Sequence, residues 1–241
     1  MSAQAAAAGD AKPARRSQPR LAKRLLWAAA ALLLAPMVLI AVGRFVAPPV
    51  TPLMLIRSAQ GYHIQRQWVS LHAIAPTMRR AVIVAEDNRF CGEFIGMDFQ
   101  SIDHQVHIWT SGGRPSGAST ITMQTTGNLF EWPGRSLIHK LAELWITPQL
   151  ALLWPRRRVL EVYLNIVEFG PGLFGVQAAS RHYFGKDASQ LNVIEATRLA
   201  AVLPNPLHWS PNNLGPEELR RASVNSIPVF YGGPEFRCSD K

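Results

Sequence analysis

Eighteen consecutive residues without a charge, Leu25 to Val42 (LLWAAAALLLAPMVLIAV), limit what this chain can become. At helical rise they extend roughly 27 Å, close to the hydrocarbon thickness of a bilayer. Gly43 extends the run and Arg44 ends it. Lys12, Arg15, Arg16, Arg20, Lys23 and Arg24 precede it against one acid, Asp10. Positive charge ahead of an apolar span predicts a cytoplasmic N-terminus. Trp27 stands near one end, where interfacial aromatic residues belong, and Pro36 is tolerated in a membrane helix. A cleaved signal peptide is the competing reading, but its apolar core spans only about 7–15 residues. The expected organisation is a basic tail at 1–24, a transmembrane anchor at 25–43 and a linker at 44–58, with APPVTP (47–52) as a stiff extended stretch. A globular domain at 59–212, beyond the membrane, and a C-terminal tail at 213–241 follow.

The formal charge of +9 could suggest nucleic acid, but the first 24 residues carry +5 of it, leaving +4 for the rest. That distribution argues against a broad nucleic-acid surface. Apolar residues make up 48% of the chain, enough for a substantial core. The two cysteines, Cys91 and Cys238, can pair if the domain is extracytoplasmic, though their number alone does not establish it. Neither has a metal-ligand spacing.

The domain reads as mainly α. APTMRRAVIVAEDNRF (75–90) opens on proline with apolar residues at helical spacing. SLIHKLAELWITPQLALLW (136–154) carries them at 137, 138, 141, 144 and 145. Further helices are expected at 156–170, 175–185 and 190–204, each ending at Gly or before Pro. Val69 to Leu71 is the best of few strand candidates.

Four strings carry chemistry. AVIVAEDNRF (81–90) ends an apolar run on adjacent carboxylates, Glu86 and Asp87. Buried carboxylates are costly unless paired or used; ion pairing with Arg79, Arg80 or Arg89 is the structural reading, a perturbed functional carboxylate the other. GASTITMQ (117–124) offers hydroxyls and N–H groups to an anion at a helix start, or an ordinary cap by Ser119 or Thr120. HKLAE (139–143) puts Lys140 and Glu143 on one helix face. RRRVLEVYLNIVEFGPGLFGVQAA (156–179) contains Gly170, Gly172 and Gly175, but a helix precedes them, which excludes a dinucleotide-binding turn.

In this order, AEDNRF, GASTITMQ, HKLAE, RRRVLEVYLN and YFGKDASQLNVIEATRLAAVLPNP resemble the five motifs of the peptidoglycan glycosyltransferases, glycosyltransferase family 51. The match covers about residues 60–212 and looks like the monofunctional biosynthetic form, one anchor and no penicillin-binding domain. The resemblance implies a lysozyme-like helical fold behind a single-pass anchor in the bacterial inner membrane, with the domain periplasmic. It implies polymerisation of lipid II into β-1,4-linked glycan with inversion and release of undecaprenyl pyrophosphate. Glu86 would be the general base, and Glu143 the second carboxylate, holding the pyrophosphate directly or through Mg²⁺ or Mn²⁺; no organic cofactor is implied. Ser119, Thr120, Thr122, Gln124, Asn128, Lys140 and Arg156 would line the diphosphate site. Asp87, Phe90, Gly117, Glu161, Tyr163 and Asn165 would be structural. Partners would be lipid II, the growing lipid-linked chain, the membrane and other wall-synthesis or division proteins.

Three positions depart from that pattern. Glu93 stands where a histidine is usual, Gly127 where a basic residue is usual, and His139 replaces the arginine of an Arg-Lys pair. A charge-assisted contact is worth about 1.5–3 kcal/mol. The departures therefore leave open a weakened or inactive paralogue that binds lipid II as a scaffold; a glycan-cleaving enzyme is a more distant alternative. LFEWPGRSLI (129–138) reads either as a membrane-dipping lobe or as core.

Overall fold

The computed structural model describes residues 19–113, 119–130 and 137–240. The chain divides into a unit ending at Ala35 and a unit beginning at Pro36. Helix α1 (Pro19–Gly43) is 25 residues long, and Leu25, Leu26, Trp27 and Leu34 are exposed on it. Among the described residues no helix is long and apolar enough to cross a membrane. Residues 29, 32 and 33, whose side chains are outside that set, fall within the uncharged run.

The second unit starts with the last turns of α1. Ile40 is fully buried, and the Trp154 indole N–H donates to its carbonyl at 2.6 Å. Arg158 donates to the carbonyls of Gly43 and Val46, and Arg66 to those of Pro48 and Pro49. The expected linker is thus clamped to the domain, and it ends in helix α2 (Pro52–Ala59), which buries Met54. Strand β1 (Gln65–Arg66) follows. The strand expected at Val69–Leu71 does not form. The Asn165 side chain both donates to the Val69 carbonyl and accepts from its N–H, each at 2.9 Å, taking the place of a neighbouring strand.

The core is helical. Helix α3 (Pro76–Glu86) starts on proline, whose missing N–H is no loss in a first turn. It buries Met78, Ala81, Val82 and Ile83. Helices α4 (Phe99–Thr110), α5 (Ile121–Phe130) and α6 (Leu137–Leu153) come next, with α5 packed on α6 and on α7 (Arg156–Ile166). The last of these buries Val159, Leu160, Val162, Tyr163, Leu164 and Ile166.

That helix stops at Ile166, not at Gly170 as its periodicity predicts. Glu168–Gly170 forms β2, antiparallel to β3 (Leu173–Phe174), which also pairs in parallel with β1. Glu168 is 3% exposed and accepts from Arg57 and from the Gly172 N–H, an arrangement a continued helix would not give it. Gly175 closes the turn at φ +80°, where a Cβ would stand 2.9 Å from the Asn165 carbonyl oxygen. Helices α8 (Val176–Phe184) and α9 (Val193–Val202) follow the expected pattern, with Gly185 in the left-handed conformation after α8.

The stretch 213–241, expected as a tail, contains packed structure in its described residues, 213–240. Helix α10 (Pro216–Tyr231) lies on α9 and α3, and α11 (Arg237–Asp240) reaches α3 and α7. Val229 and Phe236 are fully buried. Arg79 donates to the Ser239 carbonyl, Arg80 pairs with Asp240 at 2.8 Å, and Cys91 is disulfide-bonded to Cys238.

Candidate active site

The adjacent carboxylates part company at the end of α3. Glu86 is its last residue, and Asp87, at φ −162° and ψ 80°, leaves the helix. The Asp87 carboxylate accepts from the Ile121 N–H at 2.9 Å and the Arg89 N–H at 3.2 Å, so it caps the start of α5. These bonds explain why the helix predicted to reach residue 90 ends at 86: a side chain that binds nearby backbone competes with helix continuation. The ion-pairing reading of this stretch is corrected, since Arg79 and Arg80 turn to the C-terminal segment and Arg89 pairs with Asp98.

Glu86 is half-buried and accepts from the Gln124 side-chain amide at 2.8 Å. The other end of that amide accepts from the Tyr163 hydroxyl at 2.7 Å. Tyr163 is fully buried, so a rigid core residue fixes the amide that fixes the carboxylate. Burial pushes the Glu86 carboxyl above its ordinary value; the Gln124 bond opposes this and the Asp87 charge adds to it. Burial also raises the Tyr163 phenol, which therefore stays protonated and donating.

A cavity of about 270 Å³ opens beside Glu86, bounded also by Asp87, Asn88, Arg89, Ser101 and Ser119. Ser119 links it to α6: Lys140 Nζ lies 3.5 Å from the Ser119 hydroxyl and 2.9 Å from Glu143. The Lys140 side chain is 43% exposed and that of Glu143 is 13% exposed.

Other expected site residues are hydrogen-bonded within the domain. Thr120 caps α5, accepting from the Met123 N–H and donating to the Gly96 carbonyl. Thr122 is fully buried and accepts from Arg156. The Arg156 guanidinium also donates to the Glu93 carbonyl and lies 5.7 Å from the Phe90 ring centre. All three side chains are thus tied into the structure around the start of α5. Asn128 donates one turn back to the Gln124 carbonyl. Glu161 accepts from the Leu71 N–H and pairs with Arg158. Gly117 lies outside the described residues, as does the centre of 129–138; Leu129 and Phe130 pack against the core.

The pattern characteristic of the transglycosylases matches residues 54–227. The chain belongs to that family. It is 47% identical over 194 residues to a biosynthetic peptidoglycan transglycosylase of Rhodospirillum centenum, covering 80% of this chain and 84% of the relative. Identity is 42% over 191 residues to the protein of that name from Caulobacter vibrioides, covering 79% and 83%. It is 43% over 224 residues to that from Pseudomonas aeruginosa, covering 90% and 94%. This transglycosylase is a peptidoglycan glycosyltransferase.

Sequence reasoning missed several long-range contacts, some of them at the site. The Glu168 contact with Arg57 spans 111 positions, and no local pattern reports it. The cap from Asp87 to α5 spans 34 and was equally silent, although an Asp just past a helix end is a usable signal for local capping. A groove of about 850 Å³, bounded by Arg89, Met97, Phe99, Glu235 and Arg237, adjoins the Glu86 cavity and depends on the C-terminal segment.

Proposed function

We propose that this glycosyltransferase polymerises lipid II, with Glu86 as general base and Lys140 assisting departure of the diphosphate. One observation carries the reading: a half-buried carboxylate with a raised pKa, oriented through Gln124 by a buried tyrosine, borders a cavity beside an exposed lysine. Glu86 takes the proton of the acceptor sugar's 4-hydroxyl. That oxygen attacks the anomeric carbon of the lipid-linked donor from the face opposite the diphosphate. The bond to undecaprenyl pyrophosphate breaks, and the α-linkage becomes β. The Lys140 ammonium stabilises the charge that develops on the leaving group.

Glu143 pairs with Lys140, and among the described residues no group of three His, Cys, Asp or Glu side chains could hold a metal ion. A protein-built cation site is therefore not supported by the donors described. A divalent cation here would draw further ligands from the diphosphate, and no step above is routed through one.

We place the catalytic domain on the periplasmic side of a bacterial inner membrane, anchored by α1. The uncharged 18 residues of the full sequence, the exposed leucines and the upstream cations support this. The disulfide fits an oxidising compartment. Ile138, Leu141, Trp145 and Leu152, all exposed on α6, offer the domain a second apolar contact with the bilayer.

The test is synthesis of glycan from labelled lipid II by the purified chain, with and without Mg²⁺ or Mn²⁺, beside Glu86→Gln. Polymer from the parent and none from the variant is the expected result. Lipid II binding without polymer from either would select the scaffold reading that the Glu93, Gly127 and His139 departures motivate.

A further inference from the structure

Glu93 is a buried acid that the mechanism above does not use. Its side chain is 2% exposed, and as a carboxylate neither oxygen receives a hydrogen bond. An ionised carboxylate left in that state is costly. The groups facing it come from three places. Asp87, at the end of α3, is within hydrogen-bonding contact. Arg156 of α7 stands 3.9 Å from Oε2, but its donors go to the Glu93 carbonyl and the Thr122 hydroxyl. Asp98, further along the same loop, adds negative charge.

Two acids in contact and one arginine are balanced when the acids share a single proton. The hydrogen bonds say which acid keeps it. Asp87 already accepts from the N–H groups of Ile121 and Arg89, which favours its ionised form. Glu93 accepts from nothing, so its neutral form costs least, and its hydroxyl then has one acceptor to meet, Asp87.

We propose that Glu93 is a positioning residue: as a neutral acid it donates to Asp87 and holds the turn that aims Glu86 into the cavity. It touches no reacting atom. Asp87 ties the end of α3 to the start of α5, and Gln124, one turn into α5, holds Glu86. Ionising Glu93 sets two carboxylates against each other at that junction. Burial, then the Asp87 charge, push the Glu93 carboxyl up to about 8, which puts the change just above neutral pH. The proposal rests on the reading of Glu86 as base only for its effect on rate.

Three measurements test it on the full-length chain in detergent, comparing the parent with Glu93→Gln and Glu93→Ala. In lipid II polymerisation, the parent kcat falls above about pH 8. The Gln variant, a donor that cannot ionise, keeps the neutral-pH kcat within about twofold and shows no such fall, while Ala loses roughly tenfold with little change in KM. Infrared difference spectra show a protonated carboxyl at neutral pH that is absent from the Gln variant. In melting, the sign follows from the raised pKa: the stability held by the neutral acid is complete below 4.5 and lost as pH rises to about 8. Parent and Gln variant therefore melt together in acid, and the parent falls behind towards pH 8.

Superimposed pH profiles, a Gln variant as impaired as Ala, or no protonated carboxyl at neutral pH would each overturn the proposal. A parent that makes no glycan at all sinks the lipid II polymerase reading instead, and the infrared and melting comparisons still decide Glu93.

Discussion

The Glu86 side of the site and the Lys140 side orient their charged groups by different means. Glu86 is held by Gln124, and Gln124 by a tyrosine with no exposed surface, inside a core closed by α3, α5 and α7. Lys140 and Glu143 are three residues apart on α6 and hold each other, with the lysine 43% exposed. The first arrangement is preorganised: the carboxylate cannot turn without moving core side chains. The second leaves the lysine, whose own side chain is partly in solvent, able to exchange Glu143 for an incoming diphosphate, because solvent screening weakens its hold on that carboxylate. Orientation matters where a proton must be taken along one direction. Mobility is tolerable where a diffuse negative charge must be met.

Breaking the rigid side should cost most. Glu86→Gln keeps the shape but removes the base, and steady-state kinetics should show kcat lower by about 10²–10⁴-fold with the melting temperature hardly changed. The disulfide also braces this side, joining Cys91, just past the α3 turn, to the C-terminal segment. Reducing it, or replacing both cysteines by serine, should cost about 2–5 kcal/mol of stability in denaturant titration. Equal stability of reduced and oxidised protein would show the segment to be held by packing alone.

The mobile side gives a smaller effect of a different kind. Lys140→Met should cost about 1.5–3 kcal/mol of transition-state stabilisation, read in kcat/KM, without lowering the melting temperature. A fall in melting temperature instead would mean that the Lys140–Glu143 pair is structural. The comparison sharpens at Tyr163→Phe. It removes the hydroxyl that Gln124 accepts from and should cost about 1–2 kcal/mol, divided between stability and kcat. Smallest is a pH effect. Because burial raises the Glu86 carboxyl, the acid limb of kcat/KM should lie above 4.5, with activity lost as pH falls through the raised value. A limb at or below 4.5 would remove burial as the tuning device.

The helical class, the helices around the site and the likeness to a family were legible because they depend on local periodicity and short ordered strings. So was the pairing of Lys140 with Glu143, three positions apart on a helix. The partners of Glu86 and Asp87 were not. Local charge suggested Arg79, Arg80 and Arg89, yet all three turn elsewhere and the carboxylates meet Gln124 and Ile121. Nearest charges in sequence mislead once a helix end and a tertiary cap decide which way each side chain leaves.

By itself the sequence determined the uncharged N-terminal run, the mainly helical domain and the adjacent acids that end α3. Only the tertiary structure decided that Thr120, Thr122 and Arg156 bond to Gly96, to one another and to the Glu93 carbonyl, that residues 213–240 pack against the domain, and that Glu93 lies buried against Asp87. The physical reason is common to all three. A polar side chain's role depends on which donors and acceptors reach it, and those come from segments tens to more than a hundred residues away, placed by a core whose packing no short string encodes.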